Sequence, residues 1–147
     1  MKTAMEIVKE FYQLFSVKIS TDALKLLSED FTAVLHRNGV GAFYNREEFI
    51  QMVTHDHFQY VKSITGHDKT SYENLSDTLV RINFDYIQHR KAGLSLFDNQ
   101  NKDMRMHGTM DLTVDTATGK ITKFVPTYVV NELIDIPFLN AQPRHSM

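Results

Sequence analysis

The chain has 147 residues, a mass of 17.0 kDa and a formal charge of −2, from 16 lysines and arginines against 18 aspartates and glutamates. A chain of this length forms one hydrophobic core, and its near-neutral charge argues against nucleic acid or anionic membranes as partners. Without cysteine, disulfides, zinc–cysteine sites, iron–sulfur clusters and thiol nucleophiles are excluded. No signal peptide and no apolar run of about 18 residues is present, so we expect a cytoplasmic protein without a membrane span. We assign residues 1–135 to a single domain and 136–147 to a C-terminal tail.

The N-terminal segment carries the spacing of an amphipathic helix. Thr3 and Glu6 form a capping box that predicts where the first helix begins. Its apolar face consists of Ala4, Ile7, Val8, Phe11, Leu14 and Phe15. Residues 22–28 fit a second short helix, with Ser20 or Thr21 as its cap.

The middle of the first half alternates between strand and helix signals. Residues 31–36 are predicted as a strand, and the glycine-containing residues 38–41 as a turn or loop. Asn45 and Glu48 form a second capping box, which opens a third helix that continues through Val53.

The second half of the chain changes to the two-residue period of strands. We predict strands over residues 60–72, 75–89, 104–115 and 121–131. The polar residues 98–103 are predicted as a loop, and residues 116–120 as a hairpin turn. Helices followed by a meander of long antiparallel strands indicate an α+β fold.

Two side chains in the first half are candidates for acid–base chemistry. His36 lies where a strand meets a loop, and histidine has an ordinary pKa near 6.5, which suits proton transfer at neutral pH. It is alternatively an exposed histidine beside Arg37. Tyr12 follows the apolar face of the first helix and is either a hydrogen-bond donor to a developing oxyanion or a core tyrosine.

His107 and Asp111 form a further candidate pair on a predicted strand. They share one face, about 13 Å apart along the strand. That face is opposite to the apolar one, so the pair is either a catalytic unit or directed away from the core. His55 and His57 flank Asp56 in a weak metal-like pattern, but the end of the third helix is the favoured interpretation of this segment, and we expect no metal site there.

The order of elements resembles the nuclear-transport-factor-2-like (NTF2-like) superfamily, in particular its SnoaL-like and ketosteroid-isomerase-like branches. The resemblance spans residues 3–133. It is carried by Phe11 and Tyr12, by the short helix, acidic turn and strand of residues 23–32, by the loop of residues 39–41 before residues 45–50, and by the long strands around residues 119–121. It implies a cystatin-like α+β roll in which a cone-shaped, curled antiparallel sheet wraps around N-terminal helices.

The isomerase branch also implies roles for particular positions. A tyrosine on the first helix and an aspartic acid on a late strand hold the oxyanion, and an aspartate at the end of the first strand moves the proton. The position of the tyrosine is occupied by Phe11 or Tyr12, and that of the late aspartic acid by Met110 or Asp111. The position of the aspartate that moves the proton is occupied by Leu35 or His36. Histidine in place of aspartate departs from the isomerase pattern while remaining compatible with proton transfer.

These observations lead to two hypotheses about function. The first is a SnoaL-like protein that binds a small apolar, carbonyl-bearing molecule in a cone-shaped pocket and catalyses isomerase, cyclase or dehydratase chemistry without a cofactor. In this hypothesis Tyr12, His36, Asp111 and His107 are the catalytic candidates. The second is a non-catalytic ligand-binding or dimerisation module. Under either hypothesis the resemblance implies a homodimer through the outer sheet face. A lyase similar to scytalone dehydratase is a third alternative.

Overall fold

The computed structural model describes residues 2–37, 40–91 and 103–134. Within these residues the helical elements are α1 (Ala4–Tyr12), a π-helical turn (Gln13–Val17), a 3₁₀ helix (Thr21–Leu26), α2 (Arg46–Val53), a second π-helical turn (Thr54–Phe58) and a 3₁₀ turn (His67–Lys69). The strands are β1 (Leu27–Arg37), β2 (Val40–Asn45), β3 (Val61–Thr65), β4 (Ser71–Asn74), β5 (Leu79–Arg90), β6 (Asp103–Asp115) and β7 (Lys120–Ile134). The predicted α+β class is confirmed.

Both α-helices begin at the predicted capping boxes. Thr3 Oγ1 accepts a hydrogen bond from the backbone N–H of Glu6, and the Glu6 carboxylate accepts one from the backbone N–H of Thr3. Asn45 and Glu48 repeat this exchange at the start of α2. Each box satisfies N–H groups that the first turn of a helix leaves without a partner.

The described strands form one open sheet in the order β2-β1-β7-β6-β5-β3, and β4 pairs with β5. Every pairing is antiparallel except that of β1 with β7, which is parallel and places Ala33 opposite Phe124. The sheet is therefore mixed, whereas the sequence predicts an antiparallel one. This difference arises because β1 and β7 are joined through the whole of the intervening domain, so no hairpin fixes their direction.

The short helix and the last hairpin are confirmed with small shifts. The helix predicted over residues 22–28 is a 3₁₀ helix that ends at Leu26, and Ser20 caps it by accepting a hydrogen bond from Asp22 N–H. The hairpin between β6 and β7 turns at Gly119, whose φ of +70° favours glycine.

Two predictions around glycines are wrong in part. Of the predicted loop, residues 38 and 39 lie outside the described residues, but Val40 and Gly41 already belong to β2. The strand predicted over residues 60–72 is two strands, β3 and β4. Gly66 separates them because its backbone is left-handed, with φ +89°.

We expect Gly66→Ala to lower the free energy of unfolding by about 1–3 kcal/mol. An alanine at this position would have to adopt a left-handed backbone conformation, and its Cβ would lie 3.2 Å from the carbonyl oxygen of Asp85. Gly119→Ala is the matched control: its φ is also positive, but a Cβ there has no neighbour within 4 Å among the described residues. Urea unfolding should show the larger loss for Gly66→Ala, and equal losses would contradict the role of the close contact.

One face of the sheet, which we call the inner face, packs against α1, α2 and their π-helical turns. On β5 and β6 its buried residues are Val80, Ile82, Phe84, Tyr86, Gln88, Met106, Met110, Leu112 and Val114. The ring of Phe124 on β7 packs edge-on against Phe11 of α1 at 6.1 Å and against Phe49 of α2 at 5.5 Å. The opposite, outer face carries the alternating polar residues of the same strands.

Part of the predicted organisation lies outside the described residues. This holds for the C-terminal tail and for most of the polar loop before β6. In the part of the chain that is described, no helix has the length and apolar character needed to cross a membrane.

Candidate functional site

Tyr12 ends α1 and faces the junction with β4. Its side chain is buried, with the hydroxyl oxygen 2.9 Å from Thr70 Oγ1 and the ring edge-on to Tyr72 at 6.1 Å. Burial is the main reason that the pKa of Tyr12 is raised, and burial likewise raises the pKa of Tyr72 to about 12. Both phenols therefore keep their protons at neutral pH and remain hydrogen-bond donors.

The raised pKa of Tyr72 predicts a loss of stability in alkaline solution. Between pH 10.0, the ordinary tyrosine pKa, and about 12, the unfolded chain releases a proton that the folded chain retains. The free energy of unfolding therefore falls as the pH rises through this range. Urea unfolding at several alkaline pH values should show a smaller fall for Tyr72→Phe than for the wild type. Tyr60→Phe is the control, and an unchanged fall in Tyr72→Phe would contradict the assignment.

The two π-helical turns meet through a buried histidine. His57 Nε2 lies 2.7 Å from the carbonyl oxygen of Phe15, and the two rings stack at 4.3 Å. A carbonyl can only accept, so the His57 Nε2–H donates to it and satisfies a backbone acceptor in the π-helical turn that follows α1. Next to Phe15, the hydroxyl of Ser16 is fully buried and has no hydrogen-bond partner among the described residues.

The inner face of β5 becomes polar toward its C-terminal end. Val80, Ile82 and Phe84 are followed at the same spacing by Tyr86 and Gln88, and both of these side chains are buried. Gln88 pairs across the strands with Ile64 on β3 and with Met104 on β6. No side-chain hydrogen bond of Gln88 occurs within the described ranges.

Buried polar side chains lie both on the helical elements and on the inner face they cover. They are Tyr12, Ser16 and His57 on the helical elements and Tyr86 and Gln88 on β5. An apolar and aromatic interior with a few polar groups is the composition typical of sites that bind organic ligands. Met106 and Met110 add flexible, polarisable side chains to the same face. An unpaired buried hydroxyl such as that of Ser16 is costly unless something binds to it.

Asp111 and His107 lie on the outer face. The Arg81 guanidinium donates to both carboxylate oxygens of Asp111, at 2.8 and 3.0 Å. His107 is opposite Asp85 on β5, and Arg105 donates to both oxygens of Asp85 at 3.3 and 3.2 Å. This contact with Arg105, followed by weaker effects that include His107, lowers the pKa of Asp85. His107 and Asp111 therefore do not share a face with Tyr12.

The backbone of His36 lies on β1, opposite Gly41 of β2 and Thr127 of β7. Its side chain is outside the described residues. His55 is exposed, whereas His57 is buried against Phe15, so these two histidines do not converge. Among the described residues, no group of three histidine, aspartate or glutamate side chains is arranged to hold a metal ion.

Sequence reasoning missed three polar residues of this interior, Ser16, Thr70 and Gln88. The two-residue period of β5 could have identified Gln88, because it continues the alternation from Val80. Helical spacing could have identified Ser16, which is one turn beyond Tyr12. No local signal points to Thr70, because its contact with Tyr12 joins residues 58 positions apart.

No family model matches this sequence, and no curated protein matches it. Solved structures nevertheless share its fold. One is a provisionally assigned SnoaL-like polyketide cyclase from Shewanella putrefaciens CN-32, with a TM-score of 0.64 and 13% identity over 87% of this chain and 80% of that one. Another is an NTF2-like protein of unknown function from Exiguobacterium sp. 255-15, with a TM-score of 0.56 and 14% identity over 83% of this chain and 97% of that one.

A third similar structure is a provisionally assigned scytalone dehydratase from Novosphingobium aromaticivorans DSM 12444. It has a TM-score of 0.58 and 11% identity, and the match covers 91% of this chain and 87% of that one. Identities this low show the fold alone. The chain therefore has the NTF2-like α+β fold, as the resemblance in its sequence implies, and its chemistry has to be argued from its own residues.

Proposed function

We propose that this protein binds a small apolar, carbonyl-bearing molecule against the inner face and catalyses a proton transfer on it without a cofactor. The observation that carries the proposal is the set of buried polar groups in the otherwise apolar interior between the helices and the inner face, above all Tyr12 and the unpaired hydroxyl of Ser16. The cyclase and dehydratase assignments among the similar structures support the same class of reaction.

Tyr12 is proposed to donate its phenolic proton to the carbonyl oxygen of the ligand. The Thr70 hydroxyl can donate to the Tyr12 oxygen, which leaves the phenolic proton available for the ligand. His36 is proposed as the base, because imidazole exchanges protons near neutral pH. Its position on β1 is three residues after the inner-face Ala33 and opposite the exposed Thr127, so this role requires the carbonyl end of the ligand to lie at the end of β1 and not over the middle of the inner face. His107 and Asp111 are given no contact with an inner-face ligand in this proposal, because they lie on the other face.

The proposal can be tested with acetonaphthone, a naphthalene ring that bears a methyl ketone. We expect saturable binding and protein-dependent exchange of the methyl protons in deuterium oxide, both followed by NMR. Ethylnaphthalene, which has the ring without the carbonyl, should bind more weakly. Failure of acetonaphthone to bind would contradict the proposed ligand class.

Binding without exchange would instead favour the second candidate, a non-catalytic ligand-binding or dimerisation module. The specific observation in its favour is the set of Phe11, Phe15, Phe49 and Phe124, whose rings contact one another between the helices and β7. Two copies are proposed to pair through the outer sheet face. Sedimentation equilibrium would then give twice the 17.0 kDa mass of the chain.

A further inference from the structure

A hydroxyl, an imidazole and a carboxylate form a continuous chain on the outer face where β3, β5 and β6 lie side by side. Thr65 Oγ1 lies 2.9 Å from His89 Nε2, and His89 Nδ1 lies 2.6 Å from Asp103 Oδ2. Each of the three side chains comes from a different strand. Their order is that of the groups in serine hydrolases, where a carboxylate orients an imidazole that in turn activates a hydroxyl.

The contacts of Asp103 define the state of the imidazole. Asp103 is buried, and its Oδ1 accepts the backbone N–H of Arg90 at 3.3 Å. Because a carboxylate can only accept, the ring proton on His89 Nδ1 donates to Asp103. In the tautomer that has its single ring proton on Nδ1, Nε2 can accept the proton of the Thr65 hydroxyl.

Access to this chain increases from the carboxylate to the hydroxyl. The Asp103 side chain is buried, that of His89 is one-third exposed, and Thr65 is exposed on β3, an edge strand of the sheet. The neighbouring pair Ile64 and Gln88 is buried on the inner face. Thr65 and His89 are therefore separate from the inner-face site and open to solvent.

We propose that Thr65, His89 and Asp103 form a second active site that accepts acyl groups from small esters. The Thr65 oxygen attacks the ester carbonyl carbon, so that the bond from Oγ1 to carbon forms and the bond from carbon to the leaving oxygen breaks. The Thr65 proton passes to His89 Nε2 and then to the leaving alkoxide. Water then attacks the acyl-threonine, releases the carboxylic acid and returns the proton to the Thr65 oxygen. Asp103 is a positioning residue that acts through His89.

Nitrophenyl acetate, a small activated ester, provides the test with the full chain. We expect a burst of nitrophenolate, and intact-mass and peptide analysis should locate one acetyl group on Thr65. Thr65→Ser should keep the reaction and Thr65→Val should abolish the adduct. Thr118→Val is the matched control, because the Thr118 hydroxyl donates to the Asp115 carbonyl instead of facing an imidazole.

Variants of the other two members separate catalysis from structure. His89→Gln and Asp103→Asn should lower the acylation rate about 10²–10⁴-fold, whereas His67→Gln, on an exposed turn, should not. Circular dichroism and thermal unfolding identify any variant that fails to fold, and Thr65→Ser keeps the proposal testable if the others do. An adduct elsewhere on the chain, no adduct, or an undiminished rate in folded His89→Gln would overturn the proposal. Proton exchange on acetonaphthone is expected to be unchanged in Thr65→Val.

Discussion

Replacing Phe49 with alanine is expected to lower the free energy of unfolding by about 3–5 kcal/mol. Phe49 is 1% exposed, and its ring centroid lies 5.0 Å from that of Phe31, 5.5 Å from Phe124 and 6.4 Å from Phe15. These neighbours belong to β1, β7 and the turn after α1. A cavity at this junction cannot be closed by moving one element, because the others hold it in place.

Phe43→Ala is the matched control for this prediction. The same substitution is made on β2, an edge strand, at a side chain that is 65% exposed. The free energy of unfolding should change by only about 0.5 kcal/mol, because little apolar surface returns to water. Urea unfolding followed by circular dichroism measures both variants. Equal losses would mean that Phe49 does not have the central packing role assigned to it.

The parts of the fold that the sequence predicted well are those with local physical causes. A capping box lies within four consecutive residues, so Thr3 with Glu6 and Asn45 with Glu48 are readable without knowledge of the rest of the chain. The alternation from Val80 onward exists because one face of β5 is buried and the other meets polar partners. Hairpin chemistry at Gly119 is equally local.

The parts that were missed depend on distant partners or on exposure. β2 lies at the edge of the sheet with Gly41, Ala42 and Phe43 all exposed, so no alternation marks it as a strand. The parallel pairing of β1 with β7 leaves no trace in either segment alone. The break at Gly66 depends on a backbone conformation that the weak alternation of residues 60–72 does not show.

The candidate site shows the same division between local and distant causes. The alternation of β6 assigns His107 and Asp111 to the face opposite Met106 and Met110, and the structure agrees with this assignment. The resemblance instead implies that Asp111 contacts the ligand, which does not agree with its position on the outer face. For His57 the sequence offered a helix end or a metal-like pattern, and neither predicts the contact that it makes. Its partner, the Phe15 carbonyl, lies 42 positions away.

His36→Gln is expected to lower proton exchange on acetonaphthone about 10²–10⁴-fold, the usual contribution of a general base. Glutamine is similar in size and can form hydrogen bonds, but it cannot take up a proton at neutral pH. Binding of acetonaphthone, measured by NMR titration, should be retained, because the substitution removes the proton acceptor and leaves the inner face intact. A loss of rate without a loss of binding is the signature of a group that acts in the transition state.

Two further variants complete this test. Tyr12→Phe removes the phenolic hydroxyl that donates to the carbonyl oxygen, and it should slow exchange about 10²–10³-fold. The aromatic ring remains in the core, so the change removes a buried donor that keeps its proton at neutral pH and little else. His67→Gln replaces an exposed histidine on the 3₁₀ turn and should exchange at the wild-type rate. If His36→Gln exchanged as fast as His67→Gln, the base would have to be another residue. A normal rate in folded Tyr12→Phe would contradict the role of Tyr12 as the donor.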